Sequence, residues 1–288
     1  MEEVSVAAPN YSDILTEEVI DKINQLEVIQ QTGYNRVNFR EALNFFVEKY
    51  IKQIPDYTRI NSDTVIADVG SGIGLFTFAL RLTTNARIIS VEPNPELVEG
   101  AKQIASYMGI DQNIEWRTSG LGELDMKDRE ADIVFCIEVL EHVFGAKEAV
   151  YDLRRVADKF IVLSTPNLWF PVVAHDTRLP FCHWLPVPMR KQYARLFGRQ
   201  NWEYRNIFWS PYTLNKHLKP FKRVSKWYHY SRYQQFLNTF PVYYPYRGGF
   251  YVENLHPVKR GFYDIVSKLG KHAYMFTPSL AGVYQRKE

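Results

Sequence analysis

The segment Val65-Ile66-Ala67-Asp68-Val69-Gly70-Ser71-Gly72-Ile73-Gly74-Leu75-Phe76 constrains this chain more than any other. A short apolar, β-branched run closes on an acid, three glycines alternate with other residues, and an apolar helical pattern follows. That order specifies a buried strand, a tight turn and a helix start. Glycine permits the sharp turn, and bare backbone at a helix N-terminus can receive an anion. The spacing discriminates between ligands. A dinucleotide fingerprint reads G-x-G-x-x-G, whereas here the third glycine comes one residue early, at Gly74, and the dinucleotide position is Leu75.

Around this segment, strand and helix patterns alternate. Strands are expected at 64–69, 87–92, 113–118, 131–137 and 159–164, with helices at 74–83, 95–108 and 146–157. Such alternation predicts an α/β fold, a doubly wound, Rossmann-like, mostly parallel sheet. A helix at 211–219, a sixth strand at 222–227 and a seventh at 281–285 complete a seven-stranded sheet. Upstream, Thr16 can cap a helix running through Ile20, Ile23, Leu26 and Val28, and a second amphipathic helix runs from Phe39 to Tyr50. The organisation expected is an N-terminal helical segment at 1–60 and a main domain at 61–288. Two segments break the alternation, a Pro- and aromatic-rich insertion at 166–210 on the acceptor side and a Tyr-rich one at 228–278; long connections of this kind usually carry function.

Composition excludes several classes. The net charge of the 288 residues is only +3, which does not point to nucleic acid. Cys136 and Cys182 are the only cysteines and form no disulfide framework or zinc spacing. The N-terminus lacks a signal-peptide pattern, and no stretch approaches the ~20 apolar residues of a membrane span. The expectation is a cytoplasmic protein, with peripheral membrane contact and oligomeric state left open.

Four ordered motifs resemble the class I S-adenosylmethionine (SAM) methyltransferases. The first is the D-x-G-x-G-x-G form at Asp68–Gly74. The second is Ile88-Ile89-Ser90-Val91-Glu92-Pro93-Asn94, a strand ending in an acid 24 residues after Asp68. Carboxylates at that position accept ribose hydroxyls, a feature that would suit NAD equally. The third is Ala131-Asp132-Ile133-Val134-Phe135-Cys136-Ile137-Glu138-Val139-Leu140-Glu141-His142-Val143, similar to the subgroup written "evlEHv". The fourth is Phe160–Asn167, and Asn206–Leu214 resembles the helix entry "h-x-f-f-s". The resemblance implies SAM as cofactor, with contacts at Asp68, Gly70, Gly72, Gly74, Glu92, Pro93, Gly120, Leu121, Ile137 and Glu138. Two departures stand out: the acid that often follows strand three is absent or displaced to Glu123, and Asn206 replaces a histidine.

On the acceptor side, methyl transfer is an in-line displacement that needs a base only when the nucleophile starts protonated. His142, His175 and His183 are the candidates, each with a structural alternative as a turn-orienting or lid residue. Glu138, Glu141 and His142 resemble the E-x-x-E-H metal constellation of some O-methyltransferases and of small-RNA 2′-O-methyltransferases. On a helical turn their spacing would bring them to one side, but the later histidine is missing, and the reading is a site without metal. The expected function is methyl transfer to a small-molecule acceptor, first a hydroxyl of a sugar, glycan precursor or phenolic metabolite. A metal-assisted RNA 2′-O-methyltransferase, a nicotinamide oxidoreductase and a non-catalytic binding protein are the rivals.

Overall fold

In the computed structural model the described residues are 11–32, 34, 37–143, 145–173, 177–199, 206–244 and 251–287. The elements run in the order α1 (Glu17–Asn24), α2 (Glu27–Gln31), α3 (Phe39–Lys49), β1 (Val65–Val69), α4 (Leu75–Thr83), β2 (Arg87–Val91), α5 (Pro95–Tyr107) and β3 (Ile114–Arg117). There follow β4 (Ala131–Ile137), α6 (Ala146–Val156), β5 (Ala157–Ser164), α7 (Val187–Leu196), α8 (Pro211–His217) and β6 (Phe221–Arg223). The last are α9 (Tyr233–Leu237), β7 (Val242–Tyr244), β8 (Tyr251–Glu253), α10 (Pro257–Ser267) and β9 (Gly282–Arg286). The main sheet has seven strands in the order β3-β2-β1-β4-β5-β9-β6, and β7 and β8 form a separate antiparallel pair. The chain divides into two compact units, Met1–Gly120 with Gln234–Arg260, and Leu121–Tyr233 with Gly261–Glu288.

In the first unit β1, β2 and β3 run parallel, Val69 opposite Val91 and Val91 opposite Arg117. Ile66, Ala67, Ile88 and Ile89 are wholly buried, which is why these strands read as continuous apolar runs. Side-chain caps start the helices: Thr16 accepts from the Val19 amide, Asn38 from Glu41 and Asn94 from Glu96. Phe46 of α3 packs on Phe76 of α4, ring centroids 5.3 Å apart. The first helix is broken where the sequence suggested continuity. Leu26 is extended, and the break turns Ile29 inward so that it is buried along with Ile23, six residues earlier. On one unbroken helix those two would face different directions.

In the second unit β5 lies parallel to β4, with Ile137 opposite Ser164, while β9 is antiparallel to both β5 and β6. The sixth strand is shorter than expected. The Val224 and Ser225 amides both turn to the Val283 carbonyl, a bulge that ends the ladder before Trp227. The insertions hold structure of their own: a 3-10 turn at Cys182–Trp184 before α7, and α9, the β7–β8 pair, α10 and a 3-10 turn at Gly270–Phe276.

Candidate functional site

The carboxyl ends of β1 and β2 carry the glycine turn. Gly70, Gly72 and Gly74 all have positive φ, 78°, 56° and 87°, so the alternation of glycines is a conformational requirement. The turn is tied down from within. The Gly70 and Ser71 amides donate to the Val91 carbonyl at 2.8 and 3.1 Å, and the Gly74 amide donates to the Ser71 carbonyl. The Gly72 amide donates to Glu92 Oε2 at 2.9 Å, and Glu92 Oε1 accepts the Asn94 amide at 3.1 Å. Both carboxylate oxygens of the strand-two acid therefore brace backbone, each with lone-pair capacity remaining. A Cβ on Gly72 would lie 2.7 Å from Tyr34 Oη, and one on Gly74 would lie 2.8 Å from the Phe78 ring.

Asp68 faces inward. Thr77 Oγ1 donates to its Oδ2 at 2.6 Å, Ser90 Oγ lies 3.1 Å from the same hydroxyl, and Ser90 Oγ donates to Ser71 Oγ at 2.9 Å. Burial pushes the Asp68 carboxyl up to about 7; the Thr77 hydrogen bonds oppose that shift and Glu92 adds to it. Beyond β2, the Cβ position of Gly120 lies 3.5 Å from Pro93 Cβ, which places the loop after β3 against the end of β2.

In the second unit the carboxyl ends of β4 and β5 carry a pair of acids. Glu138 is a non-glycine residue at φ 55°, a conformation that costs energy and aims its side chain. Its amide donates to the Ser164 carbonyl at 2.8 Å, and Ser164 Oγ donates to Glu138 Oε1. Ser279 Oγ stands 3.1 Å from Ser164 Oγ. Glu141 is 0 % exposed, and its Oε2 accepts from Thr165 Oγ1 at 3.1 Å. Burial drives the Glu141 carboxyl well above the usual range, and the neighbouring Glu138 charge pushes the same way. Protonated, Glu141 becomes the donor that Glu138 can accept, which satisfies the otherwise orphaned Oε1.

Residues 60–195 match the family model described as "Methyltransferase domain". The matched stretch, just under half of the chain, is similar to a methyltransferase domain, and the seven-stranded sheet flanked by helices is Rossmann-like. It is 32% identical over 128 residues to the ubiquinone biosynthesis O-methyltransferases of two strains of Rickettsia bellii, covering 43% of this chain. The chain spans about half the length of these curated relatives, 50% of each. Among solved structures it is similar to the YcgJ protein from Bacillus subtilis (TM-score 0.47, 14% identity, 86% of this chain and 98% of that one). It is also similar to geranyl diphosphate C-methyltransferase from Streptomyces coelicolor A3(2) (TM-score 0.48, 10% identity, 82% and 73%). Likeness at these TM-scores carries no conclusion about activity.

Gly70, Gly72, Gly74, Glu92, Pro93 and Gly120 lie in the first unit, and Ile137 and Glu138 lie at the end of β4 in the second. Leu121 opens the second unit and is half-buried, one residue before Gly122, whose amide is held by Asp152. His142 is exposed on the 3-10 turn Leu140–His142. That turn replaces the helical turn on which Glu138, Glu141 and His142 would have shared a side. Glu141 points into the core while His142 faces outward, and among the described residues no three His, Cys, Asp or Glu are placed to hold a metal. His183 is buried. Its Nε2 donates to the Leu168 carbonyl at 3.1 Å, and Trp184 and Phe208 pack against its ring. His175 lies outside the described residues. Motif reading missed Tyr34, Thr77 and Ser279 and gave Ser164 and Thr165, inside the fourth motif, no role, because each is a common residue type whose role depends on a partner distant in sequence.

Proposed function

We propose that this protein is a SAM-dependent methyltransferase that acts on a hydroxyl of a small molecule, a sugar, glycan precursor or phenolic metabolite. One observation carries the reading: the glycine turn of 70–74 is locked to Glu92 through the Gly72 amide, in a segment that matches the methyltransferase model. The printed name of the curated relatives, an O-methyltransferase, supports oxygen as the atom that receives the methyl.

Bound SAM would supply an electrophilic sulfonium methyl. Glu92 would hold the ribose with the lone pairs its backbone contacts leave over, and Pro93 and Gly120 would flank the adenine. The N-terminus of α4 would face the amino-acid carboxylate with its positive dipole end. Asp68 acts from behind: through Thr77, Ser90 and Ser71 it fixes the turn instead of touching ligand. His142, exposed where β4 ends, would take the acceptor hydroxyl's proton. His183 would hold the wall of the 166–210 insertion, since its Nε2–H is committed to Leu168. Glu141, buried with its Oε2 on the Thr165 hydroxyl, would hold the end of β5 in place.

Isothermal titration with SAM and with S-adenosylhomocysteine tests the foundation. Binding by the wild type and its loss in Gly72→Val support the reading. No binding by the wild type removes it. Labelled SAM incubated with a metabolite extract then identifies the acceptor by mass spectrometry, and His142→Ala should slow turnover while cofactor affinity stays unchanged.

A further inference from the structure

Among the described residues, exposed large apolar side chains are not scattered. Most of them fall in two stretches, one around the 3-10 turn and α7, the other along α10 and the turn after it. The first displays Phe181, Trp184, Val187, Met189, Leu196 and Phe197, with Trp184 at 50% and Leu196 at 81% exposure. In α7 only Ala194 is buried, so this helix turns apolar residues to the outside. In α10 and just beyond it, Phe262, Ile265 and Leu269 recur at spacings of three and four, which places them on one exposed face. Phe262 meets Phe170 at 6.3 Å, so the insertion at 166–210 and the α10 face adjoin. Contiguous exposed apolar surface of this kind marks an interaction site.

The charge pattern says what it meets. Between Thr177 and Arg199 there are five basic residues, Arg178, Arg190, Lys191, Arg195 and Arg199, and no Asp or Glu. Lys268 and Lys271 flank the α10 face, both exposed. The aromatic tip is also held rigid. Trp184 Nε1 donates to the Leu168 carbonyl at 2.6 Å, Phe181 packs on Trp184 at 4.9 Å, and Arg190 donates to the Leu185 and His183 carbonyls at 2.6 Å each. A rigid Trp/Phe tip on a segment whose described charges are all basic, beside an α10 face whose one acid, the half-buried Asp264, accepts the Tyr233 hydroxyl, matches the surface of an anionic bilayer. A protein partner or second copy would favour mixed charge at the rim.

We infer that the surface formed by the Phe181–Phe197 segment and the Phe262–Leu269 face docks this protein peripherally on anionic membranes. The inference does not depend on the methyltransferase reading, because the surface is built from side chains that play no part in it. Juxtaposed apolar insertion and basic attraction act together, so the affinity is salt-sensitive and tracks the content of acidic lipid.

The test is co-sedimentation of the full chain with vesicles of phosphatidylcholine, alone or with about one-third phosphatidylserine. Retention on the acidic vesicles should be roughly tenfold stronger and should fall as salt is raised. Leu196→Glu with Phe197→Glu, and separately Ile265→Glu, should each cut retention roughly tenfold while melting temperature and S-adenosylhomocysteine affinity stay as in the wild type. These sites are open enough to take a charge without refolding. No retention of the wild type on acidic vesicles, equal retention on neutral ones, or retention unchanged by both variants would overturn the proposal. So would sedimentation showing a wild-type dimer that the Leu196/Phe197 variant dissociates, since a second copy would then cover the surface.

Discussion

The Gly72 amide donates to Glu92 Oε2 at 2.9 Å, joining the glycine turn after β1 to the acid at the end of β2. The same carboxylate holds the Asn94 amide, which opens α5. One side chain thus braces both loops. Glu92→Ala should cost about 1–3 kcal/mol of stability through the two lost acceptors. It should also weaken S-adenosylhomocysteine binding at least as much as the stability loss alone explains. Urea unfolding and titration calorimetry on the same preparation separate the two effects.

Gly72 is closed to any side chain, both by its φ of 56° and by the Tyr34 hydroxyl 2.7 Å from the Cβ position. Gly72→Ala should cost about 1–3 kcal/mol from the left-handed backbone alone. Tyr34→Phe, which removes the clashing oxygen, should recover part of the loss in the double variant. A thermodynamic cycle over the four proteins measures that coupling.

Asp68 makes stability fall as pH rises. Its folded value of about 7 lies above the ordinary 3.8, so between those limits the folded state holds a proton that the unfolded chain has released. The stabilisation is full below about 3.8 and disappears as pH passes through about 7, at most about 4 kcal/mol. Asp68→Asn keeps the shape without the titration. Its melting temperature should therefore change less than the wild type's between mildly acidic and mildly alkaline pH.

Glu141 follows the same sign, since its carboxyl is also raised. Glu141→Gln mimics the protonated form, so it should be near neutral in acid and stabilising at alkaline pH. Glu141→Ala should destabilise throughout, because it opens a cavity and leaves Thr165 Oγ1 without its acceptor. Chemical denaturation at two pH values distinguishes these outcomes.

Asp152 anchors the loop after β3. Its Oδ2 accepts the Gly122 and Leu124 amides at 3.0 and 2.7 Å, and its Oδ1 receives Arg155 Nε and Nη2 at 2.9 and 2.7 Å. The carboxylate is buried, so Asp152→Ala removes four hydrogen bonds, although Arg155 Nη2 keeps the Leu124 carbonyl, and should cost roughly 3 kcal/mol. Urea unfolding measures it.

Much of the fold was legible because its signals are local. Buried parallel strands show as apolar runs, and Thr16 caps α1 as its position before two glutamates suggests. The break between α1 and α2 was not legible, because the burial of Ile29 is decided by neighbours outside the helix. Nor was the early end of β6, where the Val283 carbonyl takes two successive amides. In the site, the glycine spacing coincides with three positive φ angles, and the strand-end acids Asp68 and Glu92 both bond within or beside that turn. The spacing of Glu138, Glu141 and His142 supposed a helical turn, where the chain makes a left-handed residue and a 3-10 turn.

The sequence by itself determined the strand–turn–helix at 65–76, since positive φ at three alternating positions strongly favours glycine. It also determined where acids stand at strand ends, because strand length and apolar content are encoded locally. Only the tertiary structure decided what those acids do. Asp68 and Glu141 are pushed toward protonation because distant segments bury them, and Glu92 is committed to backbone because the turn folds onto it. Burial and electrostatics sum over neighbours in space, and that sum does not exist until the chain has folded.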